Sequence, residues 1–88
     1  MSISGCVLQL RAANGALRKL RAARTSLVTE LRSARGNQAT SFAQMELARA
    51  CDSVAIAISN IESDRRRVEE LIEEIKAWDA AHPQEATA

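Results

Sequence analysis

The chain has 88 residues, 47% of them hydrophobic, with one Phe, one Trp, no Tyr and a formal net charge of +1. That length allows one small domain, near the size at which a single core barely offsets chain entropy. Leucine and alanine bulk with almost no aromatics excludes a sandwich or barrel core, and no apolar run approaches the roughly 18 residues of a membrane-spanning helix.

The opening stretch MSISGCVLQLRAANG has no basic residue ahead of its short apolar patch. A signal peptide is therefore not expected, and a cytoplasmic location with reduced Cys6 and Cys51 is. From residue 3 the apolar positions alternate in steps of three and four: Ile3, Cys6, Leu10, Ala13, Leu17, Leu20, Arg24, Leu27, Leu31 and Ala34. Nine of these ten are apolar, the pattern of a helix–helix seam. This predicts a first helix over about 3–35. Asn14-Gly15 is a turn signal inside it. The seam passes through in phase, which favours a continuous helix carrying a costly glycine; a break with Asn14 capping a shorter helix is the alternative.

Residues 36–40 read as the turn. Gly36 is placed to end the first helix in the left-handed conformation, and Ser41 with Gln44 fits a capping box that opens the second. The second helix, over about 41–81, repeats the rule with Leu47, Cys51, Val54, Ile58, Ile61, Arg65, Val68, Ile72 and Ile75. Within it, SVAIAISNI (53–61) alternates like a β-strand, but the chain offers no second strand to pair its backbone, so a helix is expected. Ile56 then points roughly opposite the seam. His82-Pro83 ends the helix, and residues 83–88 are expected to be a disordered tail.

A short connection between two seamed helices gives an all-α fold, an antiparallel two-helix hairpin. Residues 1–36 carry seven basic side chains against Glu30 alone, or +6, and residues 37–88 carry five against ten acidic ones, or −5. The asymmetry favours antiparallel pairing and marks surfaces for partners. With the turn centred near residue 38, facing residue numbers should sum to about 76. Arg24 would then meet Asp52, and Arg65 would fall near Arg11 and take Glu62 or Glu69 of its own helix as partner. The two thiols would lie far apart, which excludes an internal disulfide.

One seam buries only one stripe of each helix, so the hairpin should be marginal alone and completed by oligomerisation or by a partner. Ala43, Ala50 and Ala57, then Leu71 and Trp78, run beside the seam of the second helix, with Ala48 and Ala55 on the other flank. Small residues at heptad spacing admit another helix, and Leu71 with Trp78 would anchor it. Because the second helix overhangs the first, Ile72, Ile75 and Trp78 are expected to lack cover from their own chain. The bland alternative is that alanine is simply a good helix former.

No constellation points to catalysis. His82 is the sole histidine and has no cysteine at metal-ligand spacing, no glycine-rich phosphate loop is present, and the two cysteines sit on the seam as structural thiols. No enzyme activity, cofactor or metal is expected. Arg11, Arg18 and Arg32 form one row with Lys19 beside it. A phosphate backbone could lie along them, but without aromatics for stacking a solvated basic face, or one drawn to an acidic protein surface, is the stronger reading.

The stretches LRKLRAARTSL (17–27) and GNQATSFAQMELARACDSVAIAISNI (36–61) resemble the small co-chaperones of type III secretion systems. These are cytosolic helical hairpins that hold a larger helical-repeat chaperone and, with it, keep needle subunits from polymerising early. The resemblance implies a hairpin that stabilises a partner chaperone through Leu47, Ala50, Val54, Ala57 and Ile61. A small phage-type or regulatory inhibitor, acting as a homodimeric hairpin on a protein complex, satisfies the same physics.

Overall fold

Two helices joined by a short connection make up the fold: α1, Ile3–Gly36, and α2, Ser41–Ala81. The structure is a computed structural model and describes residues 3–37 and 39–83; of the expected tail, residues 84–88 lie outside the described part. The helices pack along their length as an antiparallel hairpin. Its extents are 68 × 14 × 13 Å, and its radius of gyration is 20.1 Å, against about 12 Å for a compact domain of this length. The molecule is a rod. The stretch at 53–61 is helical throughout, and no strand occurs among the described residues.

The seam sorts burial residue by residue. All nine apolar positions of the first run are buried or half-buried, and Arg24, the exception in the pattern, is exposed. All nine positions of the second run are buried or half-buried, Arg65 included. Cys6, Leu17, Ile58 and Ile72 form the innermost part, with Leu17 fully inaccessible. A two-helix seam can do no better, because each helix turns more than half its circumference to water.

Four local expectations are corrected. Gly36 is not left-handed. It belongs to the last helical turn, and the backbone closes instead through Asn37 N–H to the Ser33 carbonyl at 2.9 Å and Ala39 N–H to the Ala34 carbonyl at 2.8 Å. The second of these is the long-range bond of a Schellman ending. The N-cap of α2 is Thr40 rather than Ser41: its Oγ1 accepts from Ala43 N–H at 3.2 Å. Gln44 does not close a capping box, since its Nε2 donates to the Ala39 carbonyl at 2.8 Å and so staples the connection to the helix.

The register is the third correction. Asn14 stands beside Arg65, and Ile3, Val7 and Leu10 line one depression together with Glu69, Ile72, Glu73 and Lys76, which puts the sum of facing numbers at about 79. The physical reason is in the seam, not the turn. Seam meets seam once every heptad shift, and of these matches the one a short turn allows is near a sum of 78, with Leu17 meeting Ile61, Leu20 meeting Ile58 and Cys6 meeting Ile72. Arg24 therefore has no meeting with Asp52; both are exposed. Fourth, the same shift carries α1 further along α2 and covers Ile72, which keeps 8% of its surface exposed. Ile75 is half-buried, and Trp78 is the large residue left at the overhang.

The doubtful Asn14-Gly15 site is continuous helix. Asn14 Oδ1 accepts from Arg65 Nη1 at 3.1 Å, so the residue that could have capped a break instead receives the one seam arginine of α2. At the far end His82 leaves helical geometry at φ −131° and ψ 60°, with its N–H bonded to the Trp78 and Asp79 carbonyls. Among the described residues no helix is long and apolar enough to cross a membrane.

Candidate partner-binding face

Around each helix the residues next to the seam fall on two edges, and in an antiparallel pair like edges meet. On one edge α1 presents Asn14 and Arg21 to the stretch of α2 that holds Glu62, Arg65 and Glu69. Arg21 Nη2 reaches Glu62 Oε1 at 3.8 Å, and Arg65, besides its bond to Asn14, lies 3.5 Å from Glu69. These pairs are largely exposed, so each is worth a few tenths of a kcal/mol, up to about 1. They close that edge with charge and fix which way the helices lean.

The opposite edge is rich in small residues and has no such ladder among the described residues. Taken every seventh residue, it carries Ala16 and Ala23 between Gln9 and Glu30 in α1, and Ala43, Ala50, Ala57, Leu71 and Trp78 in α2, where Asp64 interrupts the row. Ala43, Ala50, Ala57 and Leu71 are half-buried. Trp78 is 49% exposed. Its indole stacks on the His82 ring with centroids 4.3 Å apart and planes 19° from parallel. His82 Nδ1 lies 2.9 Å from the Trp78 carbonyl, so the helix end itself holds the ring pair. An aromatic whose position is already set loses little side-chain entropy when covered.

Of the residues expected to meet a partner, Ala50, Ala57, Leu71 and Trp78 share this edge. Leu47, Ile72 and Ile75 do not: they lie on the seam, with Ile72 buried. Val54 and Ile61, implied by the resemblance, are also half-buried seam residues. The structure therefore separates the residues of the seam from those of the open edge.

Other apolar side chains lay outside the sequence reading. Leu8 is 63% exposed, Phe42 72%, Met45 52% and Ile56 62%. Only Ile56 was expected on the outer surface. Phe42 and Ile56 are two heptads apart and lie on one stripe opposite the seam, a spacing visible in the sequence once α2's seam is fixed. Val7 and Leu8 help line shallow depressions at the open end of the rod.

Arg11, Arg18, Lys19 and Arg32 are all exposed, and among the described residues none forms an ion pair. Arg11, Arg18 and Arg32 lie at heptad spacing on the outer side of the charged edge, away from the alanine edge. Cys6 and Cys51 are free thiols. Among the described residues no group of three or more His, Cys, Asp or Glu could hold a metal ion. Compared with known protein families, curated proteins and solved structures, the chain matches none.

Proposed function

We propose that the chain is a non-catalytic protein-binding module: a hairpin that gives the alanine-lined edge ending in Leu71 and Trp78 to a helical protein partner. The observation that carries this reading is the asymmetry of the two edges. One is closed by Arg21, Glu62, Arg65 and Glu69; the other is free of such pairs and ends in a pre-positioned, half-exposed tryptophan. Small residues let a partner helix approach closely, and a Trp at the end of the stripe supplies the anchor on which interface energy usually concentrates.

The resemblance of residues 17–27 and 36–61 gives the reading its biological form, a cytoplasmic co-chaperone of a type III secretion system that stabilises a helical-repeat chaperone bound to a needle subunit. Of the positions that resemblance implies, Ala50 and Ala57 are the ones on the open edge, and they carry the proposal. The test is affinity purification of the tagged chain from its native cell with mass spectrometry of the captured proteins. A helical-repeat chaperone, captured by the wild type and lost with Ala50→Arg, is the expected result. Capture that Ala50→Arg and Trp78→Ala leave unchanged contradicts the assigned edge. Capture of proteins unrelated to secretion contradicts the co-chaperone role.

A further inference from the structure

We infer that the alanine edge is built to take a second copy of the same chain, turned end for end, and that the chain alone forms an antiparallel four-helix dimer. The inference shares the proposed function's reading that this edge is covered by protein and commits to the occupant. Three observations carry it.

The first is charge. At the open end of the rod, residues 3–11 and 68–81, five acids (Glu69, Glu70, Glu73, Glu74, Asp79) stand against Arg11 and Lys76, a net of −3. At the turn end, residues 18–61, seven bases stand against Glu30, Glu46 and Asp52, a net of +4. The folded hairpin is thus a rod with opposite charge at its two ends. A copy laid alongside in the same direction sets like on like; a reversed copy sets each end against its opposite.

The second is shape. Ala43, Ala50, Asp64, Leu71 and Trp78 occupy one edge at heptad multiples. Centre a two-fold axis between residues 60 and 61, the middle of α2. Trp78 then stands opposite Ala43 of the second copy, Leu71 opposite Ala50 and Asp64 opposite Ala57. Each large residue meets a small one over the whole length of the helix. In the parallel arrangement Trp78 would meet Trp78, and the alanines would leave gaps. Such a two-fold contact is closed, so it ends at two copies.

The third is area. The chain exposes 6549 Å², against about 5,100 Å² for a compact monomer of its mass. One side of the 68 × 14 Å rod offers roughly 950 Å², and a stable interface needs about 800 Å² from each partner.

The test uses the purified full chain in sedimentation and light scattering, with circular dichroism to follow helix. The wild type should sediment at twice 9.6 kDa at micromolar concentration, with a dissociation constant that rises several-fold on adding salt. Trp78→Ala should raise that constant by about tenfold or more. Exchanging the pair, Ala43→Trp with Trp78→Ala, should restore it, because only in the reversed copy do these two positions face each other. Should that variant lose helix, Leu71→Ala with Ala50→Leu makes the same exchange with smaller side chains. A wild-type chain that stays at 9.6 kDa at high micromolar concentration overturns the inference; so does a dimer indifferent to Trp78→Ala. Failure of both exchanges to rescue, with helix retained, overturns the reversed register. A monomer that still captures a helical partner through Ala50 sinks this inference and spares the proposed function, whereas a dimer that captures none does the opposite.

Discussion

Gly15 is where a single residue works against the fold. It sits in the interior of α1, its backbone is ordinary helix, and a Cβ built on it meets nothing within 4 Å. The glycine therefore contributes conformational entropy to the unfolded chain without supplying a turn or a close approach. Gly15→Ala should stabilise the hairpin by about 0.5–1 kcal/mol, read as a higher melting temperature by circular dichroism; an unchanged or lower one would mean the site is not simple helix. Ile58 is the opposite case. With 3% of its surface exposed, it has no route for a charge to reach water, and Ile58→Asp buries an ionised or unpaired carboxyl at the cost of several kcal/mol. Loss of the helical signal is the expected outcome. A variant that melts like the wild type would place Ile58 outside the seam.

At the scale of the element, the ends of the helices separate what spacing dictates from what local competition decides. The interiors were legible: three-and-four spacing of apolar residues fixed both helices, the hairpin and the seam positions Cys6, Leu17 and Ile58 that form its innermost part, because burial of a stripe is the dominant force and leaves a periodic trace. The connection was legible only in outline. Thr40 and Ser41 are adjacent residues with equivalent capping chemistry, and nothing in the sequence ranks them; in the fold Thr40 Oγ1 reaches Ala43 N–H, and Ser41 begins the helix. Thr40→Ala should cost about 1 kcal/mol and Ser41→Ala much less, a contrast that equilibrium urea unfolding of the two variants measures. Equal losses would return the cap to a shared role. The register departs from the turn-centred expectation for another reason: seam-to-seam matching, and not the midpoint of the connection, decides which residues face each other. Leu17 opposite Ile61 and Asn14 beside Arg65 follow from the two heptads together with the short connection, and with them goes the burial of Ile72. The candidate face was half legible: spacing marked Ala50, Ala57, Leu71 and Trp78 and gave Arg65 a partner in Glu62 or Glu69, of which the fold takes Glu69, but could not say that Arg21 crosses to Glu62, because that depends on which helix lies beside it.

The whole molecule is a rod with two unlike sides, a charged one that its own helices close and a small-residue one that they leave. That division is the centre of the account, and two alanines of α2 test it. Ala50 lies on the open edge and Ala55 on the flank shared with Glu62, five residues apart in the same helix. Arginine is a good helix former and neither site is buried, so neither substitution should remove helix. The decisive measurement is the molar mass by light scattering of the wild-type, Ala50→Arg and Ala55→Arg chains, each with whatever protein partner copurifies. The account predicts that Ala50→Arg falls to the mass of the lone chain while Ala55→Arg keeps the wild-type assembly; an assembly that survives Ala50→Arg, or that both arginines abolish alike, would contradict it.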